Sequence, residues 1–181
     1  MENFLFKRSY QLNNLSLIPY KNLWGFKGIF TTVRLYGNKN NLILIDEHLK
    51  NFNQSLIKFN IFFFLSKKLL IKIINPNLNL NKYDHLLRIA CNKNILSISL
   101  RKRKKILNNY SIILKSYQRP LSNFKNLNYK KILTFQKKIN LQKTEIVFYK
   151  NNNLLEGSTS NLIAVKNNII FIPKNNYYAY C

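Results

Sequence analysis

Apolar positions along the chain repeat with two different periods. Residues 29–36 (Ile-Phe-Thr-Thr-Val-Arg-Leu-Tyr) are β-branched or aromatic at most positions and run into Gly37-Asn38, a turn pair; 42–45 is a second apolar run. Together 29–45 are expected to form a β-hairpin. Leu49, Phe52, Leu56 and Phe59 then recur at spacings of three and four, which predicts a helix over 47–60 with one buried face and Asp46 as its cap. The stretch 61–75 is ambiguous in period and is assigned to helix. Short strands are expected at 86–90, 95–100 and 111–115, and Pro120 marks a linker over 116–124. Beyond it, Leu127, Ile132, Leu133 and Phe135 predict a helix over 127–139. Strands at 145–149 and 154–155 flank a turn at 150–153, and a hairpin joins 161–165 to 169–172 across 166–168. No internal repeat is visible. The expected class is α/β (α+β): a small α/β domain over 1–115, a linker over 116–124, and a second α/β segment over 125–181 that stops early.

Composition narrows the class. The 181 residues are 46% hydrophobic and 14% aromatic, enough for a buried core and too apolar for wholesale disorder. Two cysteines, Cys91 and Cys181, exclude a disulfide framework and a four-cysteine zinc site. The longest apolar stretch, 61–74, is cut by Lys67, Lys68 and Lys72, so no membrane span is expected. The N-terminus lacks the apolar core of a signal peptide. These features predict a soluble intracellular chain, in a bacterial cytoplasm or an organelle stroma such as that of a plastid.

Charge is the largest anomaly: 30 Lys+Arg stand against 6 Asp+Glu, a net charge of +24. Such a balance is the footprint of a nucleic-acid-binding protein. It is equally the residue usage of an AT-rich coding sequence, in which Lys, Asn and Ile are abundant everywhere, and the basic residues here are spread along the whole chain. Charge alone selects neither reading. The densest run, Arg101 to Lys105, is read as a solvated loop or strand end. Phe62-Phe63-Phe64 is read as core or dimer interface, His48 as a residue that orients a helix start, His85 as surface, and Cys91 as buried and inert.

Two segments hold candidate chemistry. Lys125-Asn126-Leu127-Asn128-Tyr129 puts a lysine at the end of the linker and the expected start of a helix. There the helix dipole favours the neutral amine that carbonyl condensation needs. Glu156-Gly157-Ser158-Thr159-Ser160-Asn161 sets one of the few carboxylates in a hydroxyl-rich loop, suited to a cation such as a protonated pyridine nitrogen. Spacing alone leaves both open to bland readings: a solvated lysine and a turn.

The two segments in this order, with Gly28-Ile29-Phe30-Thr31-Thr32-Val33-Arg34-Leu35-Tyr36-Gly37 and Asp46-Glu47-His48-Leu49 upstream, resemble the pyridoxal-phosphate enzymes of aminotransferase class IV. That family includes 4-amino-4-deoxychorismate lyases, branched-chain aminotransferases and D-amino acid aminotransferases. The resemblance covers most of 23–175, is weak over 60–85, and is most specific at 154–162. It implies a two-domain class IV fold with an incomplete C-terminal domain and pyridoxal 5'-phosphate as cofactor. Lys125 would form the Schiff base with the cofactor aldehyde and shuttle the substrate Cα proton; Glu156 would hold the pyridine nitrogen protonated. Tyr129 would lie beside the cofactor one helical turn beyond Lys125, and Thr159, Ser160 and Asn161 would shape the loop around the ring. Arg34 is a candidate contact for a substrate carboxylate, or an exposed hairpin arginine.

The run Phe30-Thr31-Thr32-Val33-Arg34 resembles the lyases more than the branched-chain enzymes. This implies release of pyruvate from aminodeoxychorismate to form 4-aminobenzoate, a folate precursor, with branched-chain or D-amino acid transamination as the alternative. The implied partners are that small molecule and a second copy in a homodimer. Two departures stand out. Asn51 occupies the position of the family's phosphate-binding arginine, and the chain stops at about the point where family members continue, which makes activity in this short form doubtful.

Overall fold

The computed structural model describes residues 4–172 and divides into two compact units, the first ending at Arg103 and the second beginning at Lys104. The strand pattern and Pro120 predict a domain over 1–115; in the structure the strand at 111–116 pairs within the second unit.

The first unit is a five-stranded antiparallel sheet with two helices. Its strands are β1 (Phe4–Gln11), β2 (Leu17–Ile18), β3 (Ile29–Gly37), β4 (Tyr83–Cys91) and β5 (Ile95–Lys102), in the spatial order β2-β1-β5-β4-β3. Neither β1 nor β2 is expected from the pattern: β1 reads Phe-Leu-Phe-Lys-Arg-Ser-Tyr-Gln, with adjacent rather than alternating apolar residues, and pairing with β5 and β2 makes it a strand. In β3, Ile29, Thr31, Val33 and Leu35 are buried while Phe30, Thr32 and Arg34 are half-buried, the period-2 signature of a sheet with one face on the core. Helix α1 (Ile45–Lys58) lays Leu49, Phe52 and Leu56 onto that core. The Thr31 hydroxyl meets His48 Nδ1 at 2.9 Å, which ties the helix start to β3 and fits the orienting role expected of His48.

Several local expectations are corrected. Residues 42–45 do not form a strand: Leu42 makes a single bridge to Leu35, and α1 already begins at Ile45. Its N-cap is Leu44, in the left-handed region at φ 52, with no side-chain cap. Asp46 therefore lies in the first turn, where it favours the helix dipole and pairs with Lys67 Nζ at 2.9 Å. Over 61–75 the helix is confined to α2 (Lys67–Ile74), capped by the Ser66 hydroxyl, which accepts from Leu69 N–H. Of Phe62, Phe63 and Phe64, expected in the core or a dimer interface, Phe63 packs partly against the core while Phe62 and Phe64 are exposed. His85 is buried, not surface; its Nδ1 accepts the Asp84 N–H, and burial, then the nearby Lys102 charge, lowers its pKa. Cys91 is buried as expected, and burial pushes its thiol up to about 12.

The second unit is built on β6 (Ser111–Ser116), β7 (Thr144–Lys150) and β8 (Asn153–Gly157), in the order β6-β7-β8. Strands β6 and β7 are parallel, so the chain between them must cross over, and α3 (Lys130–Gln136) lies in that crossover. Ile132, Ile146 and Phe148 form a small core on which Tyr117 stacks edge-on, 5.2 Å from Phe148. Central β7 is buried from Glu145 to Phe148 on both faces, whereas every residue of β6 is exposed. The hairpin of β9 (Ala164–Lys166) and β10 (Ile169–Phe171) turns through Asn167 and Asn168, both with positive φ, as a two-residue hairpin turn requires. Only 130–136 of the helix expected at 127–139 forms.

Candidate functional site

The two acidic residues that follow Asp84 in the sequence, Glu145 and Glu156, are both buried in the second unit. In a chain so poor in acids, a buried carboxylate must be held by specific partners, because an ionised group removed from water without them is costly. Each has them.

Glu156 sits near the end of β8 and is gripped by Arg119, the sole arginine after Arg103 in the sequence. Arg119 Nε donates to Glu156 Oε1 at 3.0 Å and Nη2 donates to Oε2 at 3.1 Å, a bidentate fork. The side chains are 2% and 9% exposed, so this pair is shielded from the solvent that weakens surface ion pairs. The same guanidinium donates from Nη2 to Ser122 O at 2.8 Å and from Nη1 to Phe124 O. It also stacks 5.4 Å from the centre of the Tyr129 ring.

Lys125 follows Phe124 directly and is half-buried. It does not open a helix: 121–129 is a turn-rich segment, and α3 begins at Lys130. No helix N-terminus therefore stands at Lys125. The turn is held by Asn126, whose amide donates to Pro120 O and Leu121 O, each at 2.9 Å, and whose Oδ1 accepts the Asn128 N–H. Polar side chains thus satisfy backbone groups that a helix would have satisfied itself. Tyr129 is the N-cap residue of α3, so the expected helical turn between it and Lys125 is absent. Burial is the main cause that pushes its phenol up to about 12, opposed by the Arg119 charge and aided by Glu156.

Glu145 organises the loop after Glu156. Its Oε1 accepts from Ile146 N–H at 3.0 Å, Ser158 N–H at 3.1 Å and the Ser158 hydroxyl at 2.6 Å. Its Oε2 accepts from the hydroxyls of Thr159 at 2.6 Å and Ser160 at 2.9 Å. Thr159 and Ser160 therefore direct their protons inward onto Glu145, while Asn161 is exposed. Gly157 closes the loop through its N–H to Ser160 O at 2.9 Å. A Cβ there would lie 2.9 Å from Ser160 O, closer than real Cβ atoms approach. A cleft of about 510 Å³ lies against 116–123 and Lys150. Neither Lys125 nor Glu156 lines it, so it is not where these groups assemble.

Arg34 lies in the first unit. Its Nε donates to Asp84 Oδ1 at 3.1 Å, and its guanidinium stacks 4.5 Å from the Tyr36 ring centre. Asn51 lies on α1, its carbonyl accepting the Ser55 hydroxyl.

Residues 28–177 match the family described as amino-transferase class IV. The chain belongs to that family. No curated protein matches it in sequence. Its fold is similar to several solved structures. One, from Legionella pneumophila and provisionally assigned as a 4-amino-4-deoxychorismate lyase, is 20% identical with a TM-score of 0.65, over 84% of this chain and 64% of that one. Another, from Thermotoga maritima and provisionally assigned as a branched-chain amino acid aminotransferase, is 13% identical with a TM-score of 0.69, over 96% and 68%. A third, the PLP-bound form of a hypothetical aminotransferase from Mycobacterium tuberculosis, is 12% identical with a TM-score of 0.63, over 95% and 72%. At these identities the likeness is one of fold. This class IV chain thus spans less than two thirds of the Legionella protein. Among the described residues no helix is long and apolar enough to cross a membrane.

The donor set in the second unit fits the cofactor of class IV enzymes at its ring end. An ionised carboxylate offers about four acceptor sites, and Arg119 fills two of those on Glu156, leaving acceptor capacity for a ring N–H. Two residues that organise this candidate site, Arg119 and Glu145, carry no motif of their own in the sequence. Scarcity was the available signal: one arginine and two glutamates in the second unit, against many lysines.

Proposed function

We propose that this protein is a pyridoxal-phosphate-dependent class IV enzyme whose reacting amine is Lys125 and whose ring-nitrogen partner is Glu156. The observation that carries this reading is the Arg119 guanidinium, which joins the Glu156 carboxylate to the carbonyl immediately before Lys125. When bound, the cofactor supplies an electron-withdrawing ring that stabilises negative charge at the substrate Cα. Lys125 Nζ is the group that holds the cofactor aldehyde and moves the proton at Cα. Glu156, its carboxylate fixed by the Arg119 fork, is the group that favours a proton at the ring nitrogen. Tyr129, with its phenol near 12, keeps its proton at neutral pH and can donate a hydrogen bond. Thr159, Ser160 and Asn161 shape the adjoining loop, the first two through Glu145. Arg34 is assigned to a substrate carboxylate; the Asp84 contact uses its Nε, one of five N–H donors.

Within the family, the lyase-like run Phe30 to Arg34 favours aminodeoxychorismate as substrate, with pyruvate and 4-aminobenzoate as products. Transamination of a branched-chain or D-amino acid uses the same Lys125 and Glu156. A homodimer is the expected assembly, with the first unit as the small domain and the second unit, from Lys104, as the cofactor domain.

The test is a visible absorbance spectrum with pyridoxal phosphate, then borohydride reduction and peptide mapping. A stable adduct at Lys125, lost in Lys125→Ala, supports the assignment. Label scattered over many lysines, or none, refutes it. Pyruvate released from aminodeoxychorismate, against amino transfer to an oxo acid, separates the two reactions. The rival from charge, a nucleic-acid-binding protein, requires oligonucleotide binding that falls steeply with salt and ignores Lys125→Ala.

A further inference from the structure

Arg119 makes contacts to three parts of the second unit at once. Its fork holds both oxygens of Glu156, its terminal nitrogens hold the carbonyls of Ser122 and Phe124, and its plane lies over the Tyr129 ring. Phe124 precedes Lys125, so this one side chain touches or adjoins the residues assigned to the amine, the phenol and the ring-nitrogen partner. Lysine could not replace it: a single ammonium cannot present a planar fork to a carboxylate while also reaching two carbonyls. In a unit where every other basic side chain is a lysine, the single arginine stands where fork geometry is needed.

Its charge has a second effect. A cation 3.0 Å from Glu156 Oε1 offsets part of the negative potential that the carboxylate presents to any group on its remaining lone pairs, and in a buried setting water does little to screen it.

We propose that Arg119 is a positioning residue of this site, which aims Glu156 and the Lys125 turn and, by sharing the Glu156 carboxylate, limits how tightly that carboxylate holds a proton on a bound pyridine nitrogen. This inference rests on the proposed cofactor function. It separates two properties of one side chain. The fork sets geometry, and so affinity for the cofactor. The charge sets the proton equilibrium of the ring nitrogen.

The experiment uses the full chain loaded with pyridoxal phosphate carrying ¹⁵N in its ring, with the nitrogen resonance followed against pH in the wild type, Arg119→Lys and Arg119→Met. Arg119→Met removes the competing charge, so the nitrogen is expected to keep its proton about one to two pH units further into alkali. Arg119→Lys keeps the charge and loses the fork, so its nitrogen titrates as in the wild type while its affinity for pyridoxal phosphate falls roughly tenfold. A purely structural arginine would weaken binding in both variants without moving the nitrogen titration. Should Arg119→Met not fold, Arg119→Lys still decides: undiminished affinity for pyridoxal phosphate overturns the positioning role. A wild-type chain that forms no borohydride-stable bond at Lys125 overturns the proposed function and this inference with it. A loaded wild type whose nitrogen titrates like that of Arg119→Met overturns this inference alone.

Discussion

Replacing Glu145 by alanine removes the acceptor of five hydrogen bonds, and their environments determine the cost. The hydroxyls of Thr159 and Ser160 belong to exposed residues, so water replaces the lost acceptor at little expense. Ser158 N–H keeps a second acceptor, Ile146 O at 2.8 Å. The Ile146 N–H and the Ser158 hydroxyl lie in buried residues and lose a charged acceptor, worth about 1.5–3 kcal/mol each. The expected loss is therefore at least about 3 kcal/mol, a large share of the ~5–15 kcal/mol that holds a typical domain together. The chain's single tryptophan, Trp24, lies in the first unit, so its fluorescence reports the wrong part of the molecule. Amide hydrogen exchange read by mass spectrometry resolves the two units. Peptides spanning 144–160 should exchange roughly a hundredfold faster in Glu145→Ala, since about 1.4 kcal/mol is a factor of ten; peptides from β3 and β4 should not change. Less than a threefold change over 144–160, or an equal change in both units, would refute the keystone role of this carboxylate.

Other expected outcomes follow from the same geometry. With its phenol near 12 when folded and 10 when unfolded, Tyr129 contributes stability that is complete below pH 10 and lost as pH rises to 12. The loss is up to about 2–3 kcal/mol relative to Tyr129→Phe, measurable by urea titrations across that range. Gly157→Ala forces Ser160 O away from the new Cβ and should open the 157–160 turn, seen as faster exchange at Gly157 and Ser158; unchanged exchange would show that the loop adapts. Cys91, buried with its thiol near 12, should resist a maleimide at pH 8 in the native protein and react after urea unfolding. Ile112→Lys and Leu114→Lys, on a strand exposed on both faces, should change stability by no more than about 0.5 kcal/mol.

The regular elements were legible wherever apolar period and turn chemistry agreed. β3 alternates strictly, α1 repeats Leu49, Phe52 and Leu56 on one face, and Asn167-Asn168 supplies the positive φ values that its hairpin needs. Period failed where partners decide. β1 has no alternation and is a strand because β5 pairs with it. The pattern from Leu127 onward predicts a helix, yet Asn126 bonds the carbonyls of Pro120 and Leu121, and that competing set of bonds delays the helix to Lys130.

The sequence by itself determined the family, the positions of Lys125 and Glu156 in their motifs, and most of the sheet, because these depend on residue type at short spacing. Only the tertiary structure decided which groups hold them. Arg119 and Glu156 lie 37 residues apart and Glu145 and Ser158 lie 13 apart, and no local period encodes such pairs. They form because a carboxylate buried by packing must find a donor, and the packing that buries it exists only once the chain has folded.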